Sequence, residues 1–355
     1  MLICACLSAH GFGHGSRSAA VLTALHQLRP HWRLVVSTAL PASFLDTALA
    51  GVPHDRRPCR WDVGVIQADA LGADPPATLA ALAELEVAMP AQLERESRWL
   101  QAQGGPQLVL ADVPPAAADL AHAVGAPLVW LASFGWDAIY TPMGEAFAAW
   151  SDHCRSRYRR GDLLLRCPLA MPMPWGLAAV SPRGTSARPQ LPAAQVRSLL
   201  NLPPEREHCA LISFGGLGMS LDSALLALWP SWTFVGTDPA LAALPNGRLL
   251  SPGLRPLDAM VCCSRVITKP GYSTFCEALS QGLGIHLVHR EGFAEAAVLE
   301  QALQRHGRHR LLSQADLRAG RWQLDQPLLS PTADPLPADG AEQAAAALVD
   351  WIESR

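Results

Sequence analysis

The run Arg265-Val266-Ile267-Thr268-Lys269-Pro270-Gly271-Tyr272-Ser273-Thr274-Phe275-Cys276-Glu277 passes from a short apolar stretch, through a proline–glycine break, into residues at helical spacing. The pattern predicts a strand over Arg265 to Thr268, a tight loop, and a helix from Phe275 to Gln281. A helix that starts just after glycine offers unpaired backbone N–H groups and the positive end of its dipole, so Ser273 and Thr274 stand where an anion such as a diphosphate is attracted. The dipole is worth only about 0.3–2 kcal/mol, so further donors are required. Lys269 and the amides after Ser213-Phe214-Gly215-Gly216 are the nearest suppliers. Thr274-x-x-Glu277 also fits a capping box, in which two side chains satisfy the helix start without any ligand.

Lys269 carries a second signal, because it is the single lysine among 28 basic residues and all the others are arginine. The arginine bias itself reflects genome composition. The exception suits a place where a compact ammonium fits and a planar guanidinium does not; chance survival is the alternative.

Working outward, the same strand–loop–helix rhythm recurs in both halves of the chain. Leu2 to Ala9 is an apolar run that ends in His10-Gly11-Phe12-Gly13-His14-Gly15, and Ala19 to Leu28 has helical spacing. Leu108 to Ala111 reads as a strand ending at Asp112, and Leu128 to Ala132 as one ending at Ser133-Phe134-Gly135-Trp136-Asp137. Thr78 to Gln103 is a long helical region with Pro90 as an expected break or kink, and the alternating residues from Asp62 to Asp69 suit an exposed strand. The expected fold class is α/β, with parallel sheets covered on both faces. Domains are expected over 1–166 and 205–330, joined by a proline-rich linker of irregular structure over 167–204 and followed by a terminal amphipathic helix over 338–355. Ligands of such sheets collect beyond the carboxyl ends of the strands, where the glycine-rich and polar clusters lie.

With 355 residues, half of them apolar, and a net charge of −3, the chain can fill two cores, and it lacks the basic surplus that nucleic-acid binding requires. The nine cysteines show no zinc spacing and lie in apolar runs, as small core residues of a reducing cytoplasm do. No signal peptide or membrane-spanning stretch is expected. Arg155 to Arg160 is a basic segment open to peripheral membrane contact, although a solvated face explains it as well. Oligomeric state is not legible.

Six features in order, spread over nearly the whole chain, resemble one superfamily. They are His10-Gly11-Phe12-Gly13-His14 with Arg17; Asp62 through Asp69; Ser133-Phe134-Gly135-Trp136-Asp137 with Ile139-Tyr140; Phe214-Gly215-Gly216; Lys269-Pro270-Gly271-Tyr272 with Glu277-Ala278-Leu279; and Arg290-Glu291 with Phe293 and Glu295. They resemble the GT-B glycosyltransferases, such as the MurG and monogalactosyldiacylglycerol synthase families. The chain is more similar still to the glycosyltransferase-like N-terminal region of plant L-arabinokinases, and a sugar-kinase domain like theirs is not expected in it. The resemblance implies two Rossmann-like domains facing across a cleft. The second would bind a nucleotide-diphosphate sugar, UDP-linked, and the first an acceptor of unknown identity. No further cofactor is implied.

Carried over by position, the resemblance places Glu277 at the ribose hydroxyls and Gly271, Ser273 and Thr274 at the diphosphate loop, beside Lys269, Gly215 and Gly216, read above as its further donors. Arg255 falls near the base loop, and Glu291 and Glu295 near the donor sugar. His14 takes the position of the acceptor-facing base, with His10 as competitor and Asp112 as its acidic partner, while Gly13, Arg17, Trp136 and Asp137 fall on the acceptor side. The plainer alternatives are that the histidines bond loop backbone, that Asp112 caps the following helix, and that Trp136 and Asp137 belong to the core. The chain contains no Asp-x-Asp, in keeping with a leaving diphosphate stabilised by helix dipoles and basic groups. The functional expectation is an inverting, metal-independent hexosyl transfer. A nucleotide-sugar binding module and a nucleotide-sugar epimerase are the alternatives.

Overall fold

The computed structural model describes residues 1–68, 72–215, 222–251, 253–290 and 292–355. The first part of the chain runs β1 (Leu2–Leu7), α1 (Phe12–Leu28), β2 (Arg33–Thr38), α2 (Ala42–Ala48), β3 (Asp55–Pro58), α3 (Pro75–Ala102), β4 (Leu108–Asp112), α4 (Ala117–Val124), β5 (Leu128–Ala132), α5 (Trp136–Tyr140), α6 (Ala148–Tyr158), β6 (Leu163–Arg166) and β7 (Ala179–Val180). The second part runs α7 (Ala193–Leu200), β8 (Cys209–Ser213), β9 (Thr233–Gly236), β10 (Gly247–Leu249), α8 (Pro256–Met260), β11 (Arg265–Thr268), α9 (Tyr272–Ser280), β12 (Gly284–Val288), α10 (Ala294–His306), β13 (His309–Leu312), α11 (Gln314–Arg318) and α12 (Gly340–Glu353).

The strands form two separate parallel sheets, ordered β3-β2-β1-β4-β5-β6-β7 and β10-β9-β8-β11-β12-β13. Each sheet reverses its winding at one point, between β1 and β4 in the first and between β8 and β11 in the second. Loops that leave neighbouring strands there part to opposite faces and open a crevice. The loops after β1, β8 and β11 carry three of the six sequence motifs, and Asp112 ends β4.

Both faces of the first sheet are buried, which is why β1 reads as unbroken apolar residues. Ile3, Ala5 and Leu7 point into one apolar cluster, and Leu2, Cys4 and Cys6 into another on the opposite face. The first cluster continues into the second domain through Leu211, Phe275 and Ile285. The nine cysteines are all free and buried, filling core space as expected. No helix among the described residues is long and apolar enough to cross a membrane.

Three local expectations need correction. Helix α3 runs through Pro90 without ending there. Pro90 is exposed, so water can satisfy the carbonyl that its missing N–H would have bonded. The segment from Asp62 is not an exposed strand: Val63 and Val65 are buried, and the Asp62 carboxylate accepts the Trp136 indole N–H at 2.8 Å. Of this segment, Asp69 lies outside the described residues. The stretch 167–204 is not wholly irregular either, since β7 extends the first sheet and α7 packs against α8 of the second domain.

Helix α12 returns to pack on α1 of the first domain, with Arg29 bonded to Glu353 at 2.8 and 2.9 Å. The chain therefore crosses between domains twice. The crossings are joined where the Gly184 N–H donates to the Pro337 carbonyl at 2.9 Å and the Gly340 N–H to the Gly184 carbonyl at 3.0 Å. A Cβ on Gly340 would lie 2.0 Å from the Arg183 carbonyl oxygen, so only glycine permits this approach.

Candidate active site

Two cavities of about 860 and about 530 Å³ lie along the cleft and share a wall formed by Phe12, Gly13, Pro41, Gly215, Ser273 and Thr274. Arg255 and Glu277 line the larger; His10, His14, Arg17, Lys269, Gly271 and Glu295 line the smaller.

On the first-domain side, the start of α1 presents His14, Arg17 and Ser18 on one face, as spacings of three and four residues require. All three converge on Asp112 at the end of β4. The His14 ring Nδ1 lies 2.8 Å from Asp112 Oδ1, the Arg17 guanidinium holds both carboxylate oxygens, and the Ser18 hydroxyl donates to Oδ2 at 2.7 Å. Burial alone would raise the Asp112 carboxyl, but the adjoining Arg17 charge, with His14, overrides burial and holds it at about 2. Arg17 Nη2, a donor, also lies 3.3 Å from His14 Nδ1, but the shorter 2.8 Å contact is to Asp112; an ionised carboxylate only accepts, so Nδ1 of a neutral His14 carries the proton and Nε2 keeps its lone pair. Asp112 does not cap the next helix, whose N-cap is Ala116. Val113, immediately after it, has φ 76°, a conformation that costs a β-branched residue about 1–3 kcal/mol. The Tyr158 hydroxyl donates to its carbonyl at 2.7 Å and helps hold it.

His10 has a different environment. Its ring meets Trp136 edge-on, with centroids 5.1 Å apart, and lies nearly parallel to Phe293 at 6.2 Å. Gly64, at φ 72°, leaves the ring its space, because a Cβ there would sit 2.4 Å from it. Burial, with the positive charges of Arg290 and Lys269 nearby, pushes the His10 imidazole down to about 3.

On the second-domain side, α9 begins at Tyr272 with Gly271 as N-cap, and no side chain caps it. The Thr274–Glu277 capping box is therefore not formed, and Thr274 lies inside the helix. Gly271 has an extended φ of −161°, so its backbone needs no glycine; what glycine supplies is open access. The Lys269 Cε lies 3.7 Å from where a Gly215 Cβ would stand, which brings the ammonium's stem beside the first glycine of the β8 loop. Burial pushes the Glu277 carboxyl up to about 7, partly offset by Arg255. Arg255 forms a two-point pair with Asp258 at 2.8 and 2.9 Å and also donates to the Arg188 carbonyl, which fixes the loop before α8.

The two sides touch directly. The Ser273 hydroxyl donates to the Gly13 carbonyl at 2.7 Å, and the Ser133 hydroxyl, itself bonded by Arg17, donates to Glu295 at 3.1 Å. The Arg17 guanidinium also lies 4.9 Å from the centre of the Tyr272 ring, a cation–π contact across the domains.

Thus His10, Gly13, His14, Arg17, Asp112, Gly215, Arg255, Lys269, Gly271, Ser273, Thr274, Glu277 and Glu295 assemble around one cleft. Trp136 and Asp137 do not reach it. Trp136 is fully buried behind His10, and Asp137 turns toward the Trp175 indole, 3.3 Å away, and Arg155; the short α5 helix points both into the domain. Gly216 and Glu291 lie outside the described residues. Ser18, Ser133 and Phe293 also belong to the site. Ser18 was detectable as the residue four after His14, and Ser133 and Phe293 stood in the sequence motifs without an assigned role.

Two facing Rossmann-like domains with their switch points across a common cleft define the GT-B fold. Solved structures agree. A UDP-glucosyltransferase from Polygonum tinctorium superposes with a TM-score of 0.62 at 14% identity, covering 99% of this chain and 93% of that one. A Medicago truncatula protein crystallised with UDP-glucose gives 0.63 at 11% identity, covering 99% and 98%. In sequence, the chain is similar to the L-arabinokinase of Arabidopsis thaliana, 27% identical over 326 residues, which cover 89% of this chain and 31% of that protein. The chain thus spans about a third of the length of the curated relative it matches. No family model matches it.

Proposed function

We propose that this chain transfers a glycosyl group from a UDP-linked sugar to an acceptor hydroxyl, with inversion at the anomeric carbon and without a metal. The observation that carries the reading is the His14–Asp112 pair on one wall of a cavity whose opposite wall is the uncapped start of α9 beside Lys269. The relatives crystallised with UDP-sugars support the choice of donor.

His14 Nε2 accepts the acceptor's hydroxyl proton, and the oxygen attacks the anomeric carbon from the side opposite the diphosphate. The bond from that carbon to the diphosphate oxygen breaks as the new bond forms. Lys269 and the α9 amides stabilise the charge that develops on the leaving group. Asp112 fixes the ring and stabilises the imidazolium, as in other base–orienter pairs. His10 is the weaker candidate for the base, because a group titrating near 3 has little affinity for a proton at neutral pH.

The test is to incubate purified protein with a panel of UDP-sugars and acceptors, follow UDP release, and read the product's anomeric configuration by NMR. Transfer with inversion that disappears in His14→Ala is the expected result. Retention of configuration, or full activity in His14→Ala, would overturn the mechanism; interconversion of sugars with no acceptor present would identify an epimerase instead.

A further inference from the structure

Resting on the nucleotide-sugar reading, we infer that the nucleobase is held by the first domain, on a stacking surface made by Phe12 and Phe44. A nucleoside diphosphate offers three chemical parts to the larger cavity. The diphosphate belongs at the start of α9, and the ribose beside Glu277, one turn further along the same helix. The base then occupies the remaining space, between the Arg255 loop and the first domain.

The first-domain wall of that space is aromatic. Phe12 and Phe44 lie parallel, with ring centroids 4.8 Å apart and planes 9° apart, and both line the cavity. Phe12 is 38% exposed, which is costly for an apolar ring unless something covers it. Phe214, the other aromatic ring among the described lining residues, is buried and offers no free face. The pair is also built for its place: a Cβ on Gly15 would lie 2.4 Å from the Phe44 ring, so the last glycine of His10-Gly11-Phe12-Gly13-His14-Gly15 is what lets Phe44 lie under Phe12.

A planar ring laid on such a face gains about 1–3 kcal/mol, that is about 5- to 150-fold in affinity. Because the base would rest on one domain and the ribose and phosphates on the other, the nucleotide bridges the cleft.

The experiment is calorimetric titration of wild type, Phe12→Ala, Phe12→Tyr and Phe44→Ala with UDP and, separately, with inorganic pyrophosphate, with melting temperatures as a check on folding. Phe12→Ala is expected to weaken UDP at least about 5-fold while pyrophosphate affinity is unchanged, and Phe12→Tyr is expected to restore UDP binding. Equal UDP affinity in wild type, Phe12→Ala and Phe44→Ala, with pyrophosphate still bound, would overturn the stacking surface and leave the site reading standing. Failure of wild type to bind either probe would overturn the site reading and this inference with it.

Discussion

The two walls of the cleft are built on opposite plans. The first-domain wall is a knot of side chains in which Asp112 receives His14, Arg17 and Ser18, all buried. The second-domain wall is mostly backbone: small residues, a helix start with no side-chain cap, and the stem of Lys269 beside Gly215. Side chains that are over-determined by their neighbours are suited to moving a proton at a fixed place. Exposed amides are suited to binding an anion that comes and goes. The division predicts that changes in the side-chain knot around Asp112 alter turnover, and changes at the start of α9 alter donor affinity.

The largest effect is expected at Asp112. Asp112→Asn removes the orienting charge and leaves the Arg17 guanidinium buried without its counter-ion, a loss of about 3–5 kcal/mol of stability, read by denaturant unfolding, together with loss of turnover. His14→Ala isolates the chemical part: kcat falls about 100- to 10,000-fold while calorimetric UDP affinity stays as in wild type. An equal loss in UDP affinity would erase the distinction between the walls.

Lys269→Ala is expected to show the reverse bias, weakening UDP about 10- to 150-fold through loss of a charged donor worth about 1.5–3 kcal/mol. Lys269→Arg tests whether charge alone suffices, because a planar guanidinium beside Gly215 should restore binding only in part.

Glu277 gives a pH signature. Its carboxyl rises from an ordinary 4.5 to about 7 in the fold, so the unfolded chain releases its proton first as pH rises. Stability is therefore lost between pH 4.5 and 7, and the loss persists above that. Glu277→Gln should be more stable than wild type at pH 8 by about 1–3 kcal/mol, with the gap closing toward pH 4.5, while binding UDP less tightly. A pH-independent gap would mean that the carboxylate is not strained by burial. The smallest effect is expected from Ser273→Ala, which removes one interdomain hydrogen bond worth about 0.5–1.5 kcal/mol, detectable as a modest fall in melting temperature.

The sequence disclosed those parts of the site in which local pattern and function coincide. Strand, glycine loop and helix follow one another within a dozen residues at β1–α1 and β11–α9, so both walls and the α/β class could be read directly. Asp112 was legible as a strand-end carboxylate, but its union with Arg17 was not, because 95 residues separate them. Trp136 and Asp137 misled because a five-residue helix leaves no periodicity from which to judge direction. Pro90 misled because a proline's cost depends on whether water reaches the freed carbonyl, which a sequence does not state. The Phe12–Phe44 stack was invisible because its two rings stand on different helices, α1 and α2, and only tertiary structure brings them together.

The paired crossing at Gly184 and Gly340 bears on how the cleft could open. Lobes tethered by one strand can swivel about any axis, as on a string; lobes held by two strands fastened side by side move more like a door on its pin. On the proposed mechanism, a donor enters and UDP leaves by a single swing, and each closing returns His14 to the same spot before the anomeric carbon, with the alignment set far from where the bond is made.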